Sequence, residues 1–250
     1  MASDFTNSRG QKIGQPLPGW KPVAPPPATP MEGTWCRLES LRESHVASLV
    51  EAFAGDADGS SWTYQPYGPF RTPDALRQWV EHVRRGRDTQ LFAVIDARVN
   101  RPRGMAAFMS FKSAHGSIEI GHIHYGPALQ RTAAGTEAII LMMRRAFSFG
   151  YRRLEWRCHA LNDRSRRAAE RLGFTFEGVF RNSSVQKGHS RDTAWYSITD
   201  EEWPSVDRTF DAWLAAPADK DGTKALRLSE LMAHRARTAS ADAARDPAAR

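Results

Sequence analysis

In LNDRSRRAAERLGF, residues 161–174, an Asn and a Ser stand three apart at the start of a short helix. Asn162 or Asp163 caps the first turn, because a short polar side chain accepts from backbone N–H groups that have no helical partner there. Ser165 lies three and four residues ahead of Ala168 and Ala169, on the apolar stripe that ends at Leu172. Its hydroxyl is therefore expected to point inward beside the positive end of the helix. A hydroxyl in that position either caps backbone or donates a hydrogen bond to charge developing on a leaving group. Arg164, Arg166, Arg167 and Arg171 are expected mostly to face water, and Gly173 ends the helix in the left-handed conformation.

Three further stretches could do chemistry. LQRTAAGTEA, residues 129–138, is a turn of small residues running into an apolar helix. Such a turn exposes several N–H groups at a positive helix end and can cradle a phosphate; the alternative is a plain loop. It carries neither a P-loop lysine pattern nor GxGxxG, which excludes those nucleotide-binding spacings. Glu119 lies in SIEIGHIHY, eleven residues ahead of Gln130. A half-buried carboxylate there either takes a proton or pairs with an arginine, while His122 and His124 share its strand. SWTYQPYGPF, residues 61–70, sets four aromatics among two prolines and a glycine. Trp62, Tyr64 and Tyr67 could stack on a flat acceptor or cage an ammonium group, or else pin the loop to the core.

These residues need a scaffold, and the rest of the chain supplies its outline. TWCRLESL reads as a strand, followed by a helix through HVASLVEAFAG and a second, TPDALRQWVEHVRRG, with Thr72 as cap and Pro73 in the first helical position. LFAVIDA, GMAAFMSF and SIEIGHIHY follow as strands. After the apolar helix TEAIILMMRRAFSFG come the strand RRLEWRCHA, the helix described first, and a hairpin around Lys187-Gly188. That hairpin brings Arg181, Lys187, Arg191 and Asp192, which could read a carboxylate, phosphate or peptide backbone, with Arg191 the candidate site residue; the alternative is an internal Arg191–Asp192 salt bridge. The order predicts an α/β (α+β) fold with one mixed, mostly antiparallel twisted sheet flanked by helices. A proline-rich strap or linker is expected over 1–33 and one domain over 34–214. The tail over 215–250 has one helix candidate from Lys224 and an end too poor in large apolar residues to pack.

The formal net charge of +7 favours anionic partners. The arginines are scattered, without a run of five or six and without an RNP-type motif, which argues against nucleic acid as the main partner. Two cysteines without a CxxC pair suggest neither a disulfide framework nor a zinc site, so no metal and a reducing cytoplasm are expected. No apolar run is long enough to span a membrane, and MASDFTNSRGQKIGQ lacks the apolar core of a secretion signal.

Gln130, Ala133, Gly135, Thr136, Glu137 and Ala138, then Asn162, Ser165, Leu172, Gly173, Phe174, Glu177 and Gly178, resemble the GNAT N-acetyltransferase superfamily and its RimJ/RimL-like branch. That branch's first motif runs Gln-x-x-Gly-x-Gly/Ala-Thr-Glu-Ala. Ala133 replaces a glycine, which still allows close approach unless the site needs a positive φ. The resemblance covers about residues 34–200 and implies a GNAT-like acyl-CoA N-acyltransferase fold. It implies acetyl-CoA with its pyrophosphate on the amides of Arg131, Thr132, Ala133, Ala134, Gly135 and Thr136, and with Asn162 orienting its amide arm. It further implies direct transfer in a ternary complex, with Ser165 serving the departing thiolate. Glu119 has a spacing similar to that of the catalytic glutamate in histone-acetylating relatives. The acceptor would be a protein N-terminus or a small aminoacyl or antibiotic-type amine. A non-catalytic acyl-CoA sensor and a basic RNA- or ribosome-associated module are the competing classes, and a homodimer stays open.

Overall fold

The computed structural model describes residues 5–86, 88–219 and 224–245. Eight strands form one sheet: β1 (Met31–Glu32), β2 (Cys36–Ser40), β3 (Thr89–Asp96), β4 (Arg101–Lys112), β5 (Ser117–Tyr125), β6 (Arg153–His159), β7 (Thr175–Gln186) and β8 (His189–Thr199). Their spatial order is β1-β2-β3-β4-β5-β6-β8-β7. Every neighbouring pair is antiparallel except β5 and β6.

That one parallel pair is short. It is registered only over Ser117–Glu119 against Arg153–Glu155, and beyond it the strands no longer pair. The sheet therefore opens into a V in the middle. β5 also bulges against β4 near His122, which adopts φ 49°. A bulge bends a strand and re-aims the side chains around it.

Two helical layers cover the sheet. Helices α1 (Glu43–Phe53) and α2 (Pro73–Arg85) bury Leu49, Leu76 and Val80 against Ala93, Met105 and Ala107 on one face. Helices α3 (Ala133–Ser148), α4 (Asp163–Arg171), α5 (Trp203–Ala215) and α6 (Leu228–Arg245) belong to the other face, whose core includes Phe92, Val94, Ala106, Phe108 and Ile118. Residues of β3 and β4 thus alternate between two cores, which is why these strands read as continuous apolar runs.

The end of α3 nearest the V is fixed by a buried carboxylate. Glu137 accepts from the backbone N–H groups of Thr34 (2.9 Å), Trp35 (2.6 Å) and Cys36 (3.0 Å). A Cβ on Gly33 would lie 2.5 Å from that carboxylate, so glycine lets the chain close over it. Burial and the adjacent Glu137 carboxylate push the Cys36 thiol up, out of reach of ionisation.

Described segments towards both ends of the chain lie on this framework. In the N-terminal strap, Trp20 donates to the Ala114 carbonyl, Val23 to the Ser113 carbonyl, and Arg145 reaches the carbonyls of Pro27 and Pro30. At the other end, α6 extends well into the stretch expected to stay unpacked. Leu228 and Met232 are buried, and Met232 Sδ lies 3.1 Å from where a Cβ on Gly173 would stand. Apolar residues spaced by three and four, Leu228, Leu231 and Met232, suffice to dock a helix whose remaining surface is polar. Residues 246–250 of the expected disordered end lie outside the described ones.

Candidate active site

The V between β5 and β6 is the centre of a cleft of about 1010 Å³, lined also by the starts of α3 and α4, by Tyr64, Gln65 and Pro66, and by the segment from Lys224 to Ser229. Strand alternation divides it. Trp156 and Cys158 turn to the α4 side, where Trp156 Nε1 donates to Ser165 Oγ at 3.0 Å. Arg157 and His159 turn to the opposite side. There Arg157 binds Glu119 and donates to Ser110 Oγ at 2.6 Å, and the His159 ring lies 5.1 Å from that of Tyr64.

Ser165 is on the cleft lining at the start of α4, as the spacing predicts. Asn162 is the cap: its Oδ1 accepts from Ser165 N at 3.1 Å. Trp156 donates into the Ser165 oxygen, so the serine acts there as acceptor and its own O–H remains a donor, with the Cys158 thiol as a neighbour. Glu119 is 4% exposed and is the only acidic side chain on the cleft lining among the described residues. Of the two fates open to it in the sequence, pairing with an arginine is the one present, and Ser110 adds a hydrogen bond at 3.0 Å.

At the start of α3, Thr132 caps Gly135 N at 3.1 Å and Gln130 Nε2 holds the Tyr125 carbonyl at 2.8 Å. Gly135 N is thus already used, whereas Ala133, at the first helical position, has an N–H with no intrahelical acceptor. The positive φ in this loop is at Arg131 (60°), and Ala133 has none, so the alanine in the glycine position is free of strain. Gln130, Arg131, Thr132, Ala133, Gly135 and Thr136 line the cleft, whereas Ala134 is buried away from it.

The aromatic segment requires a correction. Trp62 is 2% exposed, stacked on His124 with ring centroids 3.4 Å apart, and absent from the cleft lining. Its indole packs edge-on against Phe53 and Phe70, a core position that an apolar ring of this size favours. Tyr67 is also drawn in, with its hydroxyl 2.9 Å from His122 Nδ1, and only Tyr64 reaches the cleft. Burial holds both His122 and His124 down at about 4, so they are neutral near pH 7. Arg191 does line the cleft, donating to Gln186 Oε1 at 2.9 Å, and Lys187 at the hairpin tip donates to the Trp62 carbonyl at 2.9 Å.

Arg171 was expected in water but lines the cleft and donates to Thr136 Oγ1 at 3.1 Å. The signal was present: Arg171 stands three residues after Ala168, on the inward stripe. Lys224 and Arg227 also line the cleft, and a tail that reads as separate from the domain gives no signal of it. Among the described residues no group of three or more His, Cys, Asp or Glu is arranged to hold a metal, and no helix is long and apolar enough to cross a membrane.

A sheet split between a parallel pair, with two helix N-termini at the opening, defines an acyl-CoA N-acyltransferase architecture. The family model described as acetyltransferase (GNAT) domain matches residues 36–175. The chain belongs to the GNAT acetyltransferase family and is an N-acetyltransferase, a class that moves acetyl groups from acetyl-CoA to amines. A crystal structure of a GCN5-related N-acetyltransferase from Brucella melitensis is 40% identical, covers 87% of this chain and 100% of its own, and superposes with a TM-score of 0.83. That of a probable GNAT-family acetyltransferase from Chromobacterium violaceum is 39% identical over 78% of this chain and 98% of its own, with a TM-score of 0.73. The fold is also that of a Salmonella typhimurium acetyltransferase that modifies the N-terminal serine of ribosomal protein L7/L12, at 18% identity, 68% and 98% coverage and a TM-score of 0.58. No curated protein matches the sequence.

Proposed function

We propose that this enzyme transfers the acetyl group of acetyl-CoA directly to a primary amine, of a protein N-terminus or of a small aminoacyl-type molecule, with both substrates bound in the cleft at once. The N-terminal amides of α3 donate to the pyrophosphate, where the helix dipole and unpaired N–H groups favour negative charge. Arg171, Lys224 and Arg227 supply cations around that end of the cleft. The pantetheine arm runs into the V, and Asn162 orients its amide.

The amine must lose a proton and the departing sulfur must gain one. Glu119 takes the first, directly or through water, because it is the acidic group the cleft lining offers. Nitrogen attacks the thioester carbonyl, the C–S bond breaks, and the Ser165 hydroxyl donates to the sulfur as negative charge develops. The observation that carries this reading is that the Ser165 hydroxyl, held by Trp156, and the Glu119 carboxylate line one cleft from opposite faces of the sheet.

The test follows free thiol release and the mass of the acetylated amine across an amine panel. Product gaining one acetyl group per thiol released supports transfer. Glu119→Gln should slow it in a way that rising pH partly rescues, since deprotonated amine then comes from solution. Acetyl-CoA binding without turnover on any amine would contradict the proposal.

A further inference from the structure

The acceptor half of the cleft holds an imbalance of charge. Arg157 on β6 and Arg191 on β8 both line it, and Glu119 is the only carboxylate on that lining among the described residues. Glu119 is taken by Arg157. The hydrogen bond of Arg191 goes to Gln186, a neutral amide, and the guanidinium has no ion-pair partner among the described residues. The Nε atoms of both arginines are buried without a hydrogen-bond partner. Burial lowers the pKa of each, and the neighbouring Arg191 lowers that of Arg157 further.

Two guanidiniums sharing one carboxylate leave a partly desolvated positive charge, which is costly until an anion arrives. The phosphates of acetyl-CoA are poor candidates. By the reading above they lie on the amides of α3, and strand alternation turns Arg157 to the opposite face of the sheet from Trp156 and Ser165. The anion must therefore come with the acceptor. The hairpin that carries Arg191 is tied down at its tip, where Lys187, four residues before Arg191, donates to the Trp62 carbonyl.

We propose that the acceptor is an amine carrying a carboxylate of its own, as an α-amino acid does, with Arg191 binding the carboxylate and the amine lying towards Glu119. The carboxylate then pairs with Arg191, and the ammonium lies beside the Glu119–Arg157 pair until it loses its proton. A planar guanidinium suits the second contact because it meets both carboxylate oxygens in one plane. The proposal rests on the acetyl-transfer reading and narrows its acceptor.

The test gives the full chain acetyl-CoA with a series of L-amino acids, their carboxamides, and short peptides with amidated ends, and measures kcat/KM for each. The acids should be preferred over their amides by about thirtyfold or more, the scale of losing one partner of a buried charge pair. Arg191→Gln should abolish that preference through the acceptor's KM, leave the KM of acetyl-CoA unchanged, and Arg191→Lys should restore part of it. Amides acetylated as well as acids, acetylation confined to the amidated peptides, or equal losses on acids and amides in Arg191→Gln would overturn the carboxylate while leaving acetyl transfer standing. Absence of turnover on every amine would overturn both.

Discussion

Gly135→Ala tests whether the start of α3 holds the cofactor by its position. A Cβ there would lie 2.6 Å from the Leu129 carbonyl oxygen and 3.1 Å from the Tyr125 ring. Ordinary contact begins near 3.4 Å, so the carbonyl contact is short by about 0.8 Å and backbone must move. The Tyr125 hydroxyl, which donates to the Gly135 carbonyl at 3.0 Å, would move with it. Helix propensity favours alanine by about 1 kcal/mol, against about 1–3 kcal/mol for overpacking, so the fold loses at most about 2 kcal/mol. Affinity suffers more. Displacing the first turn by a sizeable fraction of that shortfall stretches amide contacts to phosphate, and a hydrogen bond to a charged group contributes about 1.5–3 kcal/mol. Loss of one such bond raises the Kd of acetyl-CoA by about ten- to a hundredfold. Titration calorimetry with acetyl-CoA, alongside denaturant unfolding, reads both quantities. Ala133→Gly is the control: with no positive φ to relieve, restoring the glycine should not tighten binding. Parent-like affinity in Gly135→Ala would refute the placement of the pyrophosphate.

Two other perturbations follow from the geometry. Trp62→Ala should destabilise the fold by about 3–5 kcal/mol through the cavity it leaves, whereas Tyr64→Ala should chiefly raise the acceptor's KM; the opposite pattern, from unfolding curves and kinetics, would return Trp62 to the cleft. His122 and His124 titrate near 4 in the fold against 6.5 ordinarily, so the unfolded chain binds protons more readily between those values. Stability should fall as pH drops through that window and level off below it, by up to about 3 kcal/mol per histidine. His124→Gln should show a shallower acid loss than the parent, and equal slopes would mean that His124 is not held neutral by burial.

The parts of this site that could be read in the sequence are those whose side-chain direction is set locally. Asn162 and Ser165 follow from a cap and a 3.6-residue repeat, and Thr132 caps α3 through a contact only three residues long. At Ala133 the sequence poses the question of φ, and the backbone answers it with a negative value. What escaped depends on long-range packing. Whether Trp62 faces the cleft or the core is decided by Phe53, Phe70 and His124, which periodicity does not bring together. Glu137 looks like a polar residue in an apolar helix until Thr34, Trp35 and Cys36 point their N–H groups at it across about a hundred residues. The split of β5 from β6 has no sequence signature of its own, because SIEIGHIHY and RRLEWRCHA read as ordinary strands and the bulge at His122 shows only in the backbone.

The central claim is that Ser165 assists the departure of the thiolate rather than merely finishing a helix. Its backbone N–H is what Asn162 caps, so removing the hydroxyl leaves that cap in place. The decisive measurement is kcat for Ser165→Ala beside its Kd for acetyl-CoA. A hydrogen bond that strengthens only as charge forms on sulfur predicts a fall in kcat of about tenfold to a thousandfold with the Kd nearly unchanged. An unchanged kcat, or a loss confined to Kd, would contradict it.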